Sequence, residues 1–313
     1  MDDQTIRRAE SDLFASAQLD VEELFFDLPR TGLRVRVLAH GEGTPLVLLH
    51  GGAMSSAVWS PLLGALAGFR TLAVDLPGHG LSDPVAYRRG EVRDHARLLI
   101  DDILDALELD RPQVVGHSLG AMFALWHMAS GAERIAGLVA LGAPAVALPG
   151  TRVRMPLSLL TVRGVGVAVL RSPSPRPAYR QLLARGLGAA EVDAAPDALV
   201  DALRLAARRP ENAATVASLM HAIDGFRRPR AESVLTSAEL ASISARAAFM
   251  LGSRDPYISV ERATESIRRI PGATVHEVPA GHAPWLVVPR RAAELIADHA
   301  DSAASSSAST ANR

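Results

Sequence analysis

Short apolar runs alternate with longer segments of helical period through the first half of the chain, the pattern of repeated strand–helix–strand units that build a parallel sheet. EELFFDLP (22–29) and LRVRVLAHG (33–41) alternate apolar with polar residues and predict a strand hairpin at a sheet edge. PLVLLHGG (45–52) is continuously apolar and ends in glycines, as a strand buried on both faces should be. FRTLAVDLPG (69–78), PQVVGHS (112–118), AGLVALGAP (136–144), ARAAFMLGSRD (245–255) and ATVHEVPAG (273–281) repeat the pattern, giving eight predicted strands. Helical patterns fall between them near 56–67, 91–109, 119–131, 259–270 and 285–299. In the longest, Ala96, Leu99, Ile100, Ile103, Leu104 and Leu107 form one apolar stripe with acids opposite, so that face packs on the sheet.

The rhythm breaks from about 146 to 240, where no strand pattern occurs. RSPSPRP (171–177) is a breaker, while PDALVDALRLAARRP and ENAATVASLMHAIDGF read as helices opened by proline or acids and closed by Arg-Pro or glycine. This stretch reads as a helical cap, 146–240, inserted into a sheet domain made of 1–145 and 241–299. The tail ADSAASSSASTANR (300–313) is small and polar and is predicted to be disordered. Residues 112–132 carry no Asp, Glu or Arg and raise the question of a membrane span. Two histidines and three glycines point instead to a buried strand turning into a buried helix.

Composition narrows the chemistry. At 313 residues, 48% apolar and 21% charged, the chain is globular in character, and a net charge of -1 argues against nucleic acid as a partner. It contains no cysteine, which removes disulfides, thiolate nucleophiles and thiolate metal sites. It also contains no lysine, which removes Schiff-base chemistry, a Ser-Lys dyad and a P-loop. The first residues, MDDQTIRRAESD, are charged and unlike the apolar core of a secretory signal, which predicts a cytoplasmic protein.

Gly116-His117-Ser118-Leu119-Gly120 is a G-x-S-x-G sequence between a predicted strand and a predicted helix. A turn that tight needs small residues beside the serine and projects its hydroxyl above the sheet edge, so Ser118 is the candidate nucleophile. A hydroxyl attacks at neutral pH only when a base takes its proton. Of ten histidines, His282 fits best, on the loop after the last strand. His50, His79 and His117 belong to glycine-flanked turns, and His127, His221 and His276 lie inside predicted elements. The imidazole needs a carboxylate to fix its tautomer, and Asp255 stands just past the seventh strand at the same sheet edge. Two backbone N–H groups must meet the oxyanion: that of Leu119, after the serine, and one from His50-Gly51-Gly52-Ala53, where Gly52 is preferred and Ala53 is the neighbour considered with it.

With these motifs in hand, the chain resembles the α/β-hydrolase superfamily, in the branch with HGG, DLPGHGLSD, GHSLG, GSRDP and GHAPW in that order. The resemblance covers residues 22–299 and implies an α/β fold with an eight-stranded, mostly parallel sheet flanked by helices. It implies hydrolysis of a carboxylic ester or lactone of a small organic molecule through an acyl-serine, with no metal or organic cofactor. Haloalkane dehalogenases and epoxide hydrolases carry aspartate at the elbow, which Ser118 excludes. Ring-cleavage carbon–carbon hydrolases, the second reading, typically have an asparagine before the serine and a tryptophan after the histidine, where this chain has His117 and Ala283. Cofactor-free haloperoxidases and a non-catalytic ligand-binding protein are the remaining alternatives. Relatives often carry a glutamate five residues after the histidine, where this chain has Val287.

The cap has its own charge. Residues 144–245 hold thirteen arginines against eight acids, a balance of +5 against -6 for the remainder. Those arginines either clamp an anionic substrate or are solvated outer faces. The apolar run Met155–Val162 suggests a greasy lid instead.

Overall fold

All eight predicted strands form, and they join in one sheet: β1 (Glu22–Leu28), β2 (Leu33–His40), β3 (Thr44–Leu49), β4 (Phe69–Val74), β5 (Gln113–His117), β6 (Gly137–Leu141), β7 (Arg246–Gly252) and β8 (Thr274–Val278). The computed structural model describes residues 2–152, 157–162, 164–172, 174–225 and 228–310, of which Leu157 and 302–310 by backbone alone. The strand order is β1-β2-β4-β3-β5-β6-β7-β8. Only β2 runs against its neighbours; every pair from β4 to β8 is parallel. The central strands β5 and β6 are buried at every position, which is why their sequences are continuously apolar rather than alternating.

Helices cover both faces. The first, α1 (Asp3–Ser16), was not part of the sequence expectation. Its buried residues Ile6, Glu10, Leu13 and Phe14 recur at helical spacing, and the Asp2 carboxylate caps it by accepting the Thr5 N–H at 2.8 Å. α2 (Ser60–Leu63), α3 (Val92–Ala106) and α4 (Leu119–Ala129) follow. The helix expected over 56–67 is a 3-10 turn, Ser56–Trp59, leading into α2, which Gly64 ends.

Between β6 and β7 the chain is helical: α5 (Val165–Arg171), α6 (Arg176–Leu187), α7 (Ala189–Ala194), α8 (Asp197–Ala207), α9 (Pro210–Ile223) and α10 (Ser237–Ala241). Pro175 precedes α6 and Pro210 opens α9, so the predicted breakers stand where the helices begin. The predicted apolar run Met155–Val162 lies partly outside the described residues. α11 (Val260–Ile267) and α12 (Pro289–Thr310) complete the sheet domain. The tail predicted to be disordered continues α12 as far as Thr310, since no glycine or proline stops the helix there, and 311–313 lie outside the described residues. Among the described residues no helix is long and apolar enough to cross a membrane.

A fully buried arginine ties α1 to the sheet. The Arg36 guanidinium on β2 donates to both carboxylate oxygens of Glu10, at 2.6 and 2.8 Å, and to Asp75 Oδ2, just past β4, at 2.7 Å. Asp75 also accepts the backbone N–H groups of Ser56 at 2.7 Å and Leu81 at 3.0 Å, so one carboxylate gathers three segments. Burial opposes the Arg36 charge, but Asp75 and Glu10 outweigh it and raise its pKa above the ordinary arginine value. Removing Arg36 leaves the Glu10 and Asp75 carboxylates without their shared cation in a dry interior. Arg36→Met is therefore expected to cost about 3–5 kcal/mol of unfolding free energy in a urea titration.

Candidate active site

β5 ends at His117, and Ser118 turns the chain into α4 with φ 46° and ψ -105°. A non-glycine residue avoids that region, and holding it there costs on the order of 1–3 kcal/mol. Both flanking glycines are enforced by space. A Cβ on Gly116 would lie 2.6 Å from Ala121 Cα, and one on Gly120 would lie 2.1 Å from the Leu49 carbonyl oxygen of β3. The Gly120 N–H donates to the His50 carbonyl at 3.0 Å, which locks the turn to the end of the neighbouring strand.

At the same sheet edge His282 Nδ1–H donates to Asp255 Oδ2 at 2.7 Å. Asp255 also accepts the backbone N–H of Tyr257 at 2.9 Å and of Ala143 at 3.3 Å. Burial raises the Asp255 pKa, but His282 and these hydrogen bonds outweigh it and hold the carboxylate below its ordinary range. The Tyr257 ring meets the His282 ring edge-on at 4.5 Å, and the His117 ring lies 4.8 Å away. Ser118 and His282 line one cavity, and no hydrogen bond joins the hydroxyl to the imidazole in this resting geometry. In unliganded sites such bonds are commonly long and tighten around substrate.

The loop carrying His282 is gripped from the helical insertion. Its own N–H donates to the Leu187 carbonyl at 2.7 Å, and the Gly281 N–H donates to the Glu191 carboxylate on α7. Glu191 is buried, yet in sequence it is an acid in a short helix with nothing to mark its partner. Tyr257 was missed for the same reason.

On the third loop, after β3, the two predicted oxyanion donors differ in their hydrogen bonding. The Ala53 N–H is already committed to His79 Nε2 at 3.1 Å, while His79 Nδ1–H donates to the Pro77 carbonyl at 3.0 Å. Gly52 has no such acceptor, and its N–H joins that of Leu119, at the open first turn of α4, as an unengaged donor among the described residues. Gly51 cannot carry a side chain, because a Cβ there would lie 2.6 Å from the His117 ring. His50 Nδ1–H donates to the Gly51 carbonyl at 2.7 Å and its Nε2 accepts the Leu76 N–H at 3.0 Å. His117 Nδ1–H donates to the Leu141 carbonyl at 2.8 Å.

The cavity, about 170 Å³, lies between this edge and the insertion. Leu160, Leu170, Leu182, Leu183, Val216 and Met220 face it from the insertion. No arginine lines it among the described residues. Arg176 pairs with Asp201, Arg180 with Asp197 at 2.8 Å, Arg204 with Asp201 at 3.3 Å and Arg209 with Asp3 at 3.2 Å. Four of the insertion's thirteen arginines are thus held in ion pairs, and among the described residues the anion clamp finds no arginine on the cavity wall to make it.

The sequence profile of the alpha/beta hydrolase fold matches residues 44–287, and the chain belongs to that family. It is similar to a haloalkane dehalogenase of Agrobacterium fabrum, 36% identical over 32% of this chain and 33% of the other. It is also similar to a pimeloyl-[acyl-carrier protein] methyl ester esterase of Nitrosospira multiformis, 41% identical over 27% of this chain and 33% of the other. The matched part thus spans about a third of the length of each relative. A carboxylesterase of Bacillus subtilis superposes on 95% of this chain and 97% of its own, with a TM-score of 0.69 at 21% identity.

Burial lowers the pKa values of His50, His79 and His117, that of His79 to about 3. Unfolded, each takes up a proton near pH 6.5, so below that pH the unfolded state holds more protons and stability falls as pH falls. Each histidine contributes up to about 1.4 kcal/mol per pH unit between pH 6 and 5. Urea titrations across that range are expected to show the loss, and His79→Gln is expected to flatten it.

Proposed function

We propose that the protein hydrolyses a carboxylic ester or lactone with an apolar acyl arm through an acyl-Ser118 intermediate. The observation that carries this reading is that Ser118, held out by its strained turn, shares one apolar cavity with His282, whose Nδ1–H is held by Asp255. Ser118 Oγ attacks the carbonyl carbon while His282 Nε2 takes its proton. Asp255 holds Nδ1–H and stabilises the imidazolium that forms. The N–H groups of Gly52 and Leu119 receive the oxyanion, His282 returns the proton to the leaving alcohol, and water then repeats the sequence on the acyl-enzyme. The insertion acts as a cap whose leucines exclude solvent from the acyl arm.

A fluorophosphonate is expected to label one residue, and Ser118→Ala is expected to abolish labelling; labelling that survives removes Ser118 as nucleophile. Single losses of Ser118, His282 or Asp255 are expected to lower kcat by about 10⁴ or more, with little further loss in the double variants, because the three act as a unit. Glu191 is a positioning residue in this reading. Glu191→Ala leaves the Gly281 N–H without its acceptor and is expected to lower kcat about tenfold or more with KM little changed. Glu191→Gln keeps an oxygen in place and is expected to restore most of that rate, whereas equal losses in the two variants would mean that the contact positions nothing.

A further inference from the structure

One residue of the cavity wall has no place in the hydrolysis described above. Asp224 is the only carboxyl group lining the cavity among the described residues, and it is 1% exposed. Neither of its carboxylate oxygens has a hydrogen-bond partner. Its backbone is held firmly: the N–H donates to the Met220 carbonyl at 3.0 Å, the residue bridges to Pro229, and the adjoining Gly225 N–H donates to the Arg228 carbonyl at 2.9 Å. Arg230, the cation whose charge acts on it, spends its Nε–H on the His221 carbonyl at 2.8 Å.

No structural duty explains the residue. It follows the last residue of α9, where the negative end of the helix dipole disfavours a carboxylate. Burial pushes its carboxyl up to about 6, with only partial relief from the nearby Gly225 N–H, which is itself spent on the Arg228 carbonyl, and from the Arg230 charge. Buried polar groups in folded proteins are nearly always satisfied, and an exception on a cavity wall leaves an acceptor for whatever fills the cavity. Among the described residues the remaining wall is mainly aliphatic and includes no arginine to balance a second negative charge.

We propose that Asp224 is a specificity-determining acceptor for a hydrogen-bond donor carried on the apolar arm of the substrate, an ammonium above all and a hydroxyl second. The proposal rests on the hydrolytic reading for the identity of the bound molecule as substrate, but the contact itself does not require Ser118. A donor there satisfies both the ligand and the stranded carboxylate. A carboxylate on the same arm meets an uncompensated like charge.

The test separates binding from turnover. Calorimetric titration of the full chain carrying Ser118→Ala with hexylammonium, 1-hexanol and hexanoate is expected to rank them in that order of affinity. Adding Asp224→Asn, which preserves shape, is expected to weaken hexylammonium about tenfold to a hundredfold while leaving 1-hexanol nearly unchanged, and Asp224→Leu is expected to weaken both. Hexanoate binding as tightly as hexylammonium to the chain with Asp224 intact overturns the proposal and needs no variant at that position. Unchanged hexylammonium affinity in Asp224→Asn overturns it as well. With Ser118 restored, the kcat/KM ratio of ammonium-ended to methyl-ended esters of equal length is expected to drop in Asp224→Asn by the factor seen in binding. Turnover with an unaltered ratio sinks this inference and leaves the hydrolysis standing; an Asp224-dependent preference in binding without any ester turnover does the reverse.

Discussion

The backbone of Ser118 occupies a conformation that only its surroundings can enforce, and much of the sheet's carboxyl edge is arranged to enforce it. β3 and β5 lie side by side in parallel, with Leu49 opposite Gly116, so the turn after β5 passes directly over the end of β3. Gly120 rests on the Leu49 carbonyl because nothing larger fits, and its N–H is taken by His50. The strand order makes this the place where successive connections depart in opposite directions, β4 to one side of β3 and β5 to the other. In open α/β sheets that divergence opens a crevice beyond the strand ends. The loop offering the Gly52 N–H and the turn bearing Ser118 are its two walls.

Histidine serves two separate purposes along this edge. In His50, His79 and His117 one ring nitrogen donates to a backbone carbonyl, and in the first two the other accepts a backbone N–H. An imidazole kept neutral can bridge two main-chain segments that have no strand ladder between them, which neither a charged side chain nor an apolar one can do. His282 differs in its partner: its Nδ1–H is held by an ionised carboxylate. The same side chain thus builds the frame where it faces amides and, in the proposed hydrolysis, carries the proton where it faces Asp255.

What the sequence makes legible follows how local each cause is. The strands are readable because burial on both faces demands uninterrupted apolar runs, and the elbow because steric demands at Gly116 and Gly120 fall within a few residues of Ser118. The order of Ser118, Asp255 and His282 could be read for a similar reason, since each sits just past a strand end. α1 carried a helical stripe, but its heavy charge, including the Glu10 that pairs inward with Arg36, hid the buried face. Glu191, Tyr257 and Asp224 were out of reach because their partners, or their want of one, depend on how the insertion folds back over the sheet. Which of the two readings of the insertion's arginines holds was illegible for the same reason, since counting charges does not reveal that Arg176, Arg180 and Arg204 meet Asp197 and Asp201 rather than the cavity.

The grip of Leu187 and Glu191 on the His282 loop makes the insertion part of the sheet domain's own framework. Its acceptors satisfy two successive main-chain donors of a segment it does not belong to. Exchanging this insertion for one from a relative, with the aim of transferring substrate range, therefore has a fixed requirement. The incoming segment must present two oxygen acceptors to Gly281 and His282, whatever side chains it offers to the cavity. Transplants designed on the cavity wall alone leave that pair of amides bare.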